Sequence, residues 1–243
     1  MAILVIGGTG KTGTRLAQLL MAAGHSVYSP LRGVKFDWLD SSTKDAPSNA
    51  AAANNEQIGA VYLVGPPIVD MASVLNPFID LAIEKGVKRF VMLSAFQVTK
   101  GQPPMGVVQE YLDTLKVDYC TLRPSWFREN FFTFDLSFNA LTSEKIETRN
   151  LLVVGPELLT CEQIAAIFTT VLGRNFLFKR VSQEGMSQHL RHEFHPGVTE
   201  MFSALNLIVT TGGEEAIYKL ENRYVGTCTL LDFIRANKEA WIR

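Results

Sequence analysis

The sequence has few of the features that mark secreted, membrane or nucleic-acid-binding proteins. Three cysteines are scattered over 243 residues without a C-x-x-C pair, which favours a reduced, cytoplasmic setting. The formal net charge of -1 provides no basic surface for nucleic acid or an acidic membrane. The apolar runs are too short to span a bilayer, and the N-terminus reads as a strand without the basic leader of a signal peptide. We therefore expect neither a nucleic-acid partner nor a membrane partner.

A common catalytic device is also missing. Carbonyl reduction by short-chain dehydrogenases uses a Tyr-x-x-x-Lys pair to supply a proton, and none of the six tyrosines has a lysine at that spacing. Two explanations remain open. Either the protein binds a nicotinamide cofactor without turnover, as a sensor, or its substrate needs no strong acid. An iminium ion fits the second case, because hydride addition to its carbon gives a neutral amine directly.

What the chain does contain is a glycine-rich turn between an apolar run and an amphipathic segment. Gly7, Gly10 and Gly13 follow the run Ile3-Leu4-Val5-Ile6, which predicts a buried parallel strand. A nucleoside-triphosphate P-loop would need glycine where Val5 stands. The pattern instead favours a dinucleotide-binding turn, with the pyrophosphate at the start of a helix over residues 9–21.

Strands and helices alternate from residue 2 to about residue 124, which predicts an α/β fold with a Rossmann-type doubly wound parallel sheet. Hydrophobic residues make up 47% of the chain, enough for one large domain with an appended lobe. We place a dinucleotide-binding domain at 1–124 and a smaller mixed α/β substrate lobe at 125–243. Further strands are predicted over residues 34–40 and 175–182.

The turn after the second strand bears on the choice of cofactor. In dinucleotide folds an acid at this place binds the ribose 2′-hydroxyl, whereas an arginine accommodates a 2′-phosphate. Here the turn contains Arg32 and no acid. The interpretation is NADP(H) rather than NAD(H), which stays the alternative; an ordinary solvated surface arginine is the plainer explanation of Arg32.

The ends of the later strands supply the remaining candidates. Pro66 follows one strand, Ser94 and Phe96 follow the next, and Arg123 ends another. The carboxyl ends of parallel strands form the ligand-binding edge of such sheets. The aromatic segment after Arg123 adds Trp126, Phe127 and Asn130 as pocket candidates, while most of its phenylalanines are expected in the core. The spaced histidines of "HLRHEFH" lack a completing ligand cluster, so no metal site is expected.

Several stretches together resemble a known family: "ILVIGGTGKTGTRLAQLL", "VGPP", "RFVMLSAF", "YCTLRPSWFRENF", "VVGPELLT" and "FIRANKEAW". The chain is similar to the NmrA-like, atypical short-chain dehydrogenases, and more narrowly to the fungal ergot alkaloid reductases of the festuclavine and agroclavine dehydrogenase type. The similarity covers most of the chain. It departs from the family pattern by being shorter, most clearly between Asn139 and Leu151.

The resemblance implies NAD(P)H-dependent reduction of an ergoline iminium formed from chanoclavine-I aldehyde, in fungal secondary metabolism. Carried over by position, the residues implied to hold the cofactor phosphates are Gly7, Thr9, Gly10, Lys11, Thr12 and Arg32, and Gly13 is a further cofactor-binding candidate. Those implied to flank the nicotinamide are Pro66, Ser94 and Phe96. The catalytic candidates near the substrate are Ser94, Arg123, Trp126 and Phe127.

Two other functions stay open at this point. NmrA-like proteins include non-catalytic NADP(H) redox sensors, and the same fold serves NADPH-dependent quinone reductases. Fold alone does not separate them, because function depends on the site. The sequence also leaves open whether two copies associate as a homodimer.

Overall fold

The computed structural model describes residues 1–7, 10–125, 130–192, 196–220 and 223–241. Within these ranges the strands are β1 (Ala2–Val5), β2 (Val27–Tyr28), β3 (Ile58–Leu63), β4 (Arg89–Leu93), β5 (Asp118–Pro124), β6 (Asn150–Val154) and β7 (Arg223–Val225). The α-helices are α1 (Lys11–Ala22), α2 (Ala46–Ala53), α3 (Ala72–Glu84), α4 (Met105–Thr114), α5 (Asn130–Thr142), α6 (Cys161–Leu172), α7 (Gln183–Arg191), α8 (Pro196–Thr210), α9 (Gly213–Tyr218) and α10 (Leu230–Ala236).

The strands form one sheet in the order β2-β1-β3-β4-β5-β6-β7. The first five strands pair in parallel. The Thr121 N–H donates to the Arg149 oxygen, and the Ser125 N–H donates to the Val153 oxygen. The residue number rises on both sides from the first bond to the second, so β6 is parallel to β5. The sheet confirms the predicted α/β fold of Rossmann type.

Apolar cores lie on both faces of the sheet, which explains why its central strands read as nearly continuous apolar runs. On one face, residues of β1 pack with Leu16 and Leu20 of α1 and Leu141 of α5. On the other face, alternate strand residues pack with Phe78 of α3 and Leu112 of α4. The sheet is therefore doubly wound, and its carboxyl edge lies where α1 begins.

The chain packs as two compact units. The first contains residues 1–124 and 130–152, and the second contains residues 125–129 and 153–243. The sequence predicts a boundary at residue 124, whereas packing places α5 and the start of β6 with the first unit. The role of the second unit as a substrate lobe stays a prediction.

Two predicted strands do not form. Residues 34–40 make no ladder, because the Val34 N–H bonds back to the Ser29 oxygen and closes a turn. Phe36 and Trp38 of this segment instead pack edge-on against each other and against Phe78. Residues 175–182 also lack strand pairing, and the Leu177 side chain is 82% exposed.

Helix α6 of the second unit is delimited at both ends by local sequence signals. α6 begins after Thr160, whose hydroxyl accepts from the Gln163 N–H while the Gln163 side chain accepts from the Thr160 N–H. It ends at Gly173, which adopts a left-handed conformation. In the part of the chain described here, no helix combines the length and apolar character that a membrane span requires.

Candidate cofactor and active site

Gly7 lies at the turn between β1 and α1. Gly7 has a φ of +74°, and its oxygen accepts the Gly10 N–H at 2.8 Å. A Cβ on Gly7 would lie 3.0 Å from the Val64 Cβ, so a side chain is excluded by both conformation and packing. Glycine is therefore required at position 7, and Gly7 abuts Val64 at the end of β3.

Helix α1 starts at this turn with its N-terminus uncovered by a capping side chain, because the N-cap residue is Gly10. The first N–H groups of a helix lack partners within the helix and carry a partial positive charge, which suits an anion. The geometry therefore fits a pyrophosphate. Gly13 is buried in the first turn of the helix. Thr9 lies outside the described residues, and for Lys11 only the backbone is described.

A buried tyrosine lies behind the start of α1. Tyr62 of β3 is 0% exposed, and burial raises the pKa of its hydroxyl to about 12. The hydroxyls of Thr12 and Ser137 offset part of that rise in the pKa. Tyr62 is thus a neutral core phenol, and Thr12, itself 7% exposed, faces this core.

At the carboxyl ends of β4 and β5, three hydrogen bonds fix the segment that contains Ser94 and Phe96. The Ser94 N–H donates to the Leu122 oxygen at 2.8 Å, and the Phe96 N–H donates to the Pro124 oxygen at 3.0 Å. The Arg123 Nη2 donates to the Phe96 oxygen at 2.5 Å. The structure therefore brings Ser94, Phe96 and Arg123 together, as the sequence predicted.

Arg123 is buried, with 9% of its surface exposed. Its Nε has no hydrogen-bond partner, and among the described residues no carboxylate lies within ion-pair distance of its guanidinium. Burial lowers the pKa of Arg123, yet an arginine stays charged at neutral pH. The carboxyl edge thus contains a buried positive charge whose assigned acceptor is a neutral carbonyl.

Pro66 occupies the same edge at the end of β3. It is half-buried, and its oxygen accepts the Ile68 N–H at 2.8 Å. Neighbouring strands lie about 4.8 Å apart, so β3, β4 and β5 are roughly 5, 10 and 14 Å from β1. Pro66, Ser94 and Arg123 thus follow one another along the edge away from the glycine turn.

Arg32 is not brought to the glycine turn. It is exposed, and its Nη1 lies 3.4 Å from the Met21 sulfur in the last turn of α1. Met21 is ten residues beyond the start of the helix, which corresponds to roughly 15 Å. The Arg32 side chain lines a cleft of about 680 Å³ beside β2, together with Lys35 and residues of α2.

The tyrosines of the first unit are held away from proton-transfer chemistry. Three donate their hydroxyls to carboxylates: Tyr28 to Glu56 at 2.6 Å, Tyr111 to Asp80 at 2.5 Å and Tyr119 to Asp113 at 2.8 Å. Each of these three pKa values is raised. With Tyr62 buried, no tyrosine of the first unit's described residues is poised as an acid. Trp126 and Phe127 lie outside the described residues.

Sequence reasoning missed two residues that support the site. Val64 packs against Gly7, and its carbonyl oxygen accepts the Trp38 indole N–H at 2.8 Å. A buried tryptophan requires a hydrogen-bond partner for its indole N–H, and this requirement was the sequence signal that could have identified the contact. Trp38 thus fixes the backbone just before Gly65 and Pro66.

Comparison with known proteins places this chain in a family, although no family model matches it. It is 33% identical to an agroclavine dehydrogenase of Claviceps fusiformis, covering 100% of this chain and 99% of the relative. It is 35% identical to festuclavine synthase II of Penicillium roqueforti over 89% of this chain and 91% of the relative. The first alignment runs over 289 positions and includes all 243 residues, so at least 46 positions have no residue here.

Solved structures of the same fold include the Citrobacter triphenylmethane reductase complexed with NADP(H), at 17% identity and a TM-score of 0.66 over 98% of this chain and 99% of that one. The NADPH-dependent quinone oxidoreductase of Escherichia coli, complexed with NADPH, has 16% identity and a TM-score of 0.66, with 98% of this chain and 99% of that one covered. These two show the fold, and the full-length relatives show more: the chain is an oxidoreductase that belongs to the agroclavine and festuclavine dehydrogenase family.

Proposed function

We propose that this protein uses NADPH to reduce an ergoline iminium, formed from chanoclavine-I aldehyde, to a festuclavine- or agroclavine-type amine. The observation that carries the proposal is the carboxyl edge of the sheet. It has a phosphate-fitting glycine turn at one end and the buried group of Ser94, Phe96 and Arg123 at the other. The named activities of the full-length relatives support the substrate class.

The bound cofactor would supply the hydride, and the chain would supply position and electrostatics. Gly7, Gly10 and the start of α1 would hold the pyrophosphate, with Thr9, Lys11, Thr12 and Gly13 in the same turn. Pro66, Ser94 and Phe96 would flank the nicotinamide. Arg123 would lie behind them, and Trp126 and Phe127 stay proposed substrate-contacting residues.

An iminium substrate agrees with the state of the tyrosines. A carbonyl substrate needs a proton donor as its oxygen becomes an alkoxide, whereas an iminium becomes a neutral amine on hydride addition. Tyr28, Tyr111 and Tyr119 donate to carboxylates, and Tyr62 is enclosed in the core. The site therefore suits a substrate whose reduction requires no proton from the protein.

The preference for NADP(H) over NAD(H) rests on Arg32. It stands where an acid would select the ribose 2′-hydroxyl, and its assigned side-chain contact is the neutral Met21 sulfur. Since no ion pair holds it among the described residues, its guanidinium is available to a 2′-phosphate after a change of rotamer.

A reducing, cytoplasmic location is part of the proposal. Cys120, Cys161 and Cys228 are all free thiols. Proteins of oxidising compartments usually pair their cysteines. Expression with a fluorescent tag in a fungal host would test the location by microscopy.

The function is tested by following NADPH oxidation at the nicotinamide absorbance with chanoclavine-I aldehyde and a thiol that promotes iminium formation. A small quinone runs in parallel. We expect oxidation with the aldehyde and a tetracyclic amine by mass spectrometry. Oxidation with the quinone alone would favour a quinone reductase, and tight NADPH binding without oxidation in either assay would favour a sensor.

A further inference from the structure

The hydrogen bonds of the fold leave part of the buried Arg123 guanidinium without a partner. Its Nη2 donates to the Phe96 oxygen, its Nε has no hydrogen-bond partner, and the described residues place no carboxylate beside it. A buried charge is normally paired or hydrogen-bonded on every side, because leaving water without compensation is unfavourable. The unpaired charge therefore points to a ligand for which its sign matters.

The position of Arg123 along the sheet edge indicates which part of a bound ligand would lie near its charge. Arg123 ends β5, the third strand along from β1, roughly 14 Å from the strand that leads into the glycine turn. Its hydrogen bond fixes Phe96, which follows β4 at the same edge. A dinucleotide whose pyrophosphate lies at the turn would extend its nicotinamide toward this end. This step rests on the proposed function.

The two redox forms of the cofactor differ there in one respect. The oxidised nicotinamide ring carries a positive charge and the reduced ring is neutral, while the rest of the molecule is the same. A nearby buried cation repels the oxidised ring and leaves the reduced ring unaffected. Because Arg123 is buried and the described residues place no carboxylate within ion-pair distance of it, this repulsion is stronger than it would be in water.

We propose that Arg123 makes the site select NADPH over NADP⁺. At a separation of roughly 12 Å and an effective dielectric constant near 20, the expected preference is on the order of tenfold, which corresponds to about 1.4 kcal/mol. The charge would favour loading with the reduced cofactor and release of the oxidised one. Reduction of an iminium moves one positive charge from the substrate to the nicotinamide. A cation that lies near both groups therefore affects the hydride transfer less than it affects binding of the cofactor.

The test compares dissociation constants for NADPH and NADP⁺, measured by titration calorimetry. In the unaltered protein the ratio of the NADP⁺ to the NADPH constant should be well above one. Arg123→Gln should lower that ratio about tenfold, and Arg123→Lys, which keeps the charge, should largely retain it. A purely structural role would weaken both forms equally and leave the ratio unchanged, which would overturn the proposal.

A matched control removes a different half-buried arginine of the same sheet. Arg89 begins β4, and its guanidinium bonds to the Asp118 carboxylate and to carbonyl oxygens at the opposite end of the strand. Arg89→Gln should leave the ratio unchanged, and an equal fall there would contradict a local effect of Arg123.

If a variant does not fold, the ratio of dissociation constants measured for the unaltered protein still tests the proposal. A ratio near or below one, with both forms bound, would overturn the assignment to Arg123 and leave the proposed function standing. Binding of neither form would overturn the proposed function and this assignment together.

Discussion

Replacing Gly7 by alanine should destabilise the protein more than the same change at another glycine of similar conformation. Gly7 has a φ of +74°, where a side chain costs about 1–2 kcal/mol. Its new Cβ would also lie 3.0 Å from the Val64 Cβ and 3.2 Å from Cγ2. Overpacking against a stiff, β-branched neighbour adds about 1–3 kcal/mol. The expected loss in the free energy of unfolding is therefore roughly 2–5 kcal/mol.

Gly24 provides the matched control. It follows the other end of α1 with a φ of +83°, and a Cβ there would meet nothing within 4 Å. Gly24→Ala should therefore show only the conformational cost of about 1–2 kcal/mol. Urea denaturation followed by circular dichroism measures both variants. Equal destabilisation would refute the argument that the turn is closed by packing against β3.

A second substitution separates packing from conformation. Val64→Ala removes Cγ2 and Cγ1, which would lie 3.2 and 3.4 Å from the new Cβ, and keeps the Val64 Cβ at 3.0 Å. The double variant should therefore be more stable than the sum of the single changes predicts. The coupling should fall within the range of about 0.5–3 kcal/mol seen for contacting residues. Additive effects would show that the Val64 methyl groups are not the obstacle.

Three further outcomes are expected. The Lys100 and Tyr119 bonds lower the pKa of Asp113 to about 2, below its ordinary 3.8, so they stabilise the fold fully above pH 4 and are lost as the pH falls toward 2. Asp113→Asn should thus lower the midpoint of thermal unfolding at pH 7 and have a smaller effect near pH 2; a larger effect in acid would contradict this. Arg32→Ala should weaken NADPH binding about tenfold more than NADH binding, and equal weakening in titrations would remove the reason for assigning the 2′-phosphate to it. Tyr111→Phe and Tyr119→Phe should retain turnover in a steady-state assay, and abolished activity in a folded variant would identify a tyrosine acid.

The alternation of strands and helices could be predicted because both periodic signals are local. The apolar run before Gly7 is buried along its length, and the amphipathic segment after it forms α1. Thr160 and Gly173 likewise delimit α6 through contacts within a few residues. Each of these features depends on residues that are neighbours in sequence, so the amino-acid sequence alone was sufficient to predict them.

Segments whose structure depends on a distant partner could not be predicted in the same way. Residues 34–40 have a strand-like pattern, but Phe36 and Trp38 insert into the core while the backbone stays unpaired. A strand requires a neighbouring backbone, and the pattern of apolar residues does not say whether one is present. The alternation thus located the buried side chains and not the hydrogen bonds.

The candidate site divides along the same line. The glycine turn was predicted from its own letters, and Ser94, Phe96 and Arg123 were predicted from their place at strand ends. The bond from Arg123 to the Phe96 oxygen joins positions 27 residues apart, so no local pattern announces it. The direction of the Arg32 side chain toward Met21 was equally outside the reach of sequence, because an exposed rotamer is set by its surroundings.

The measurement that tests the central claim most directly is hydride tracing. The enzyme is given NADPH carrying deuterium at the transferable C4 position, with chanoclavine-I aldehyde and the thiol, and the amine product is analysed by mass spectrometry. We expect one deuterium in the product, on the carbon bonded to the ring nitrogen. An unlabelled tetracyclic amine, or a label on an alcohol carbon instead, would contradict reduction of an iminium by this protein.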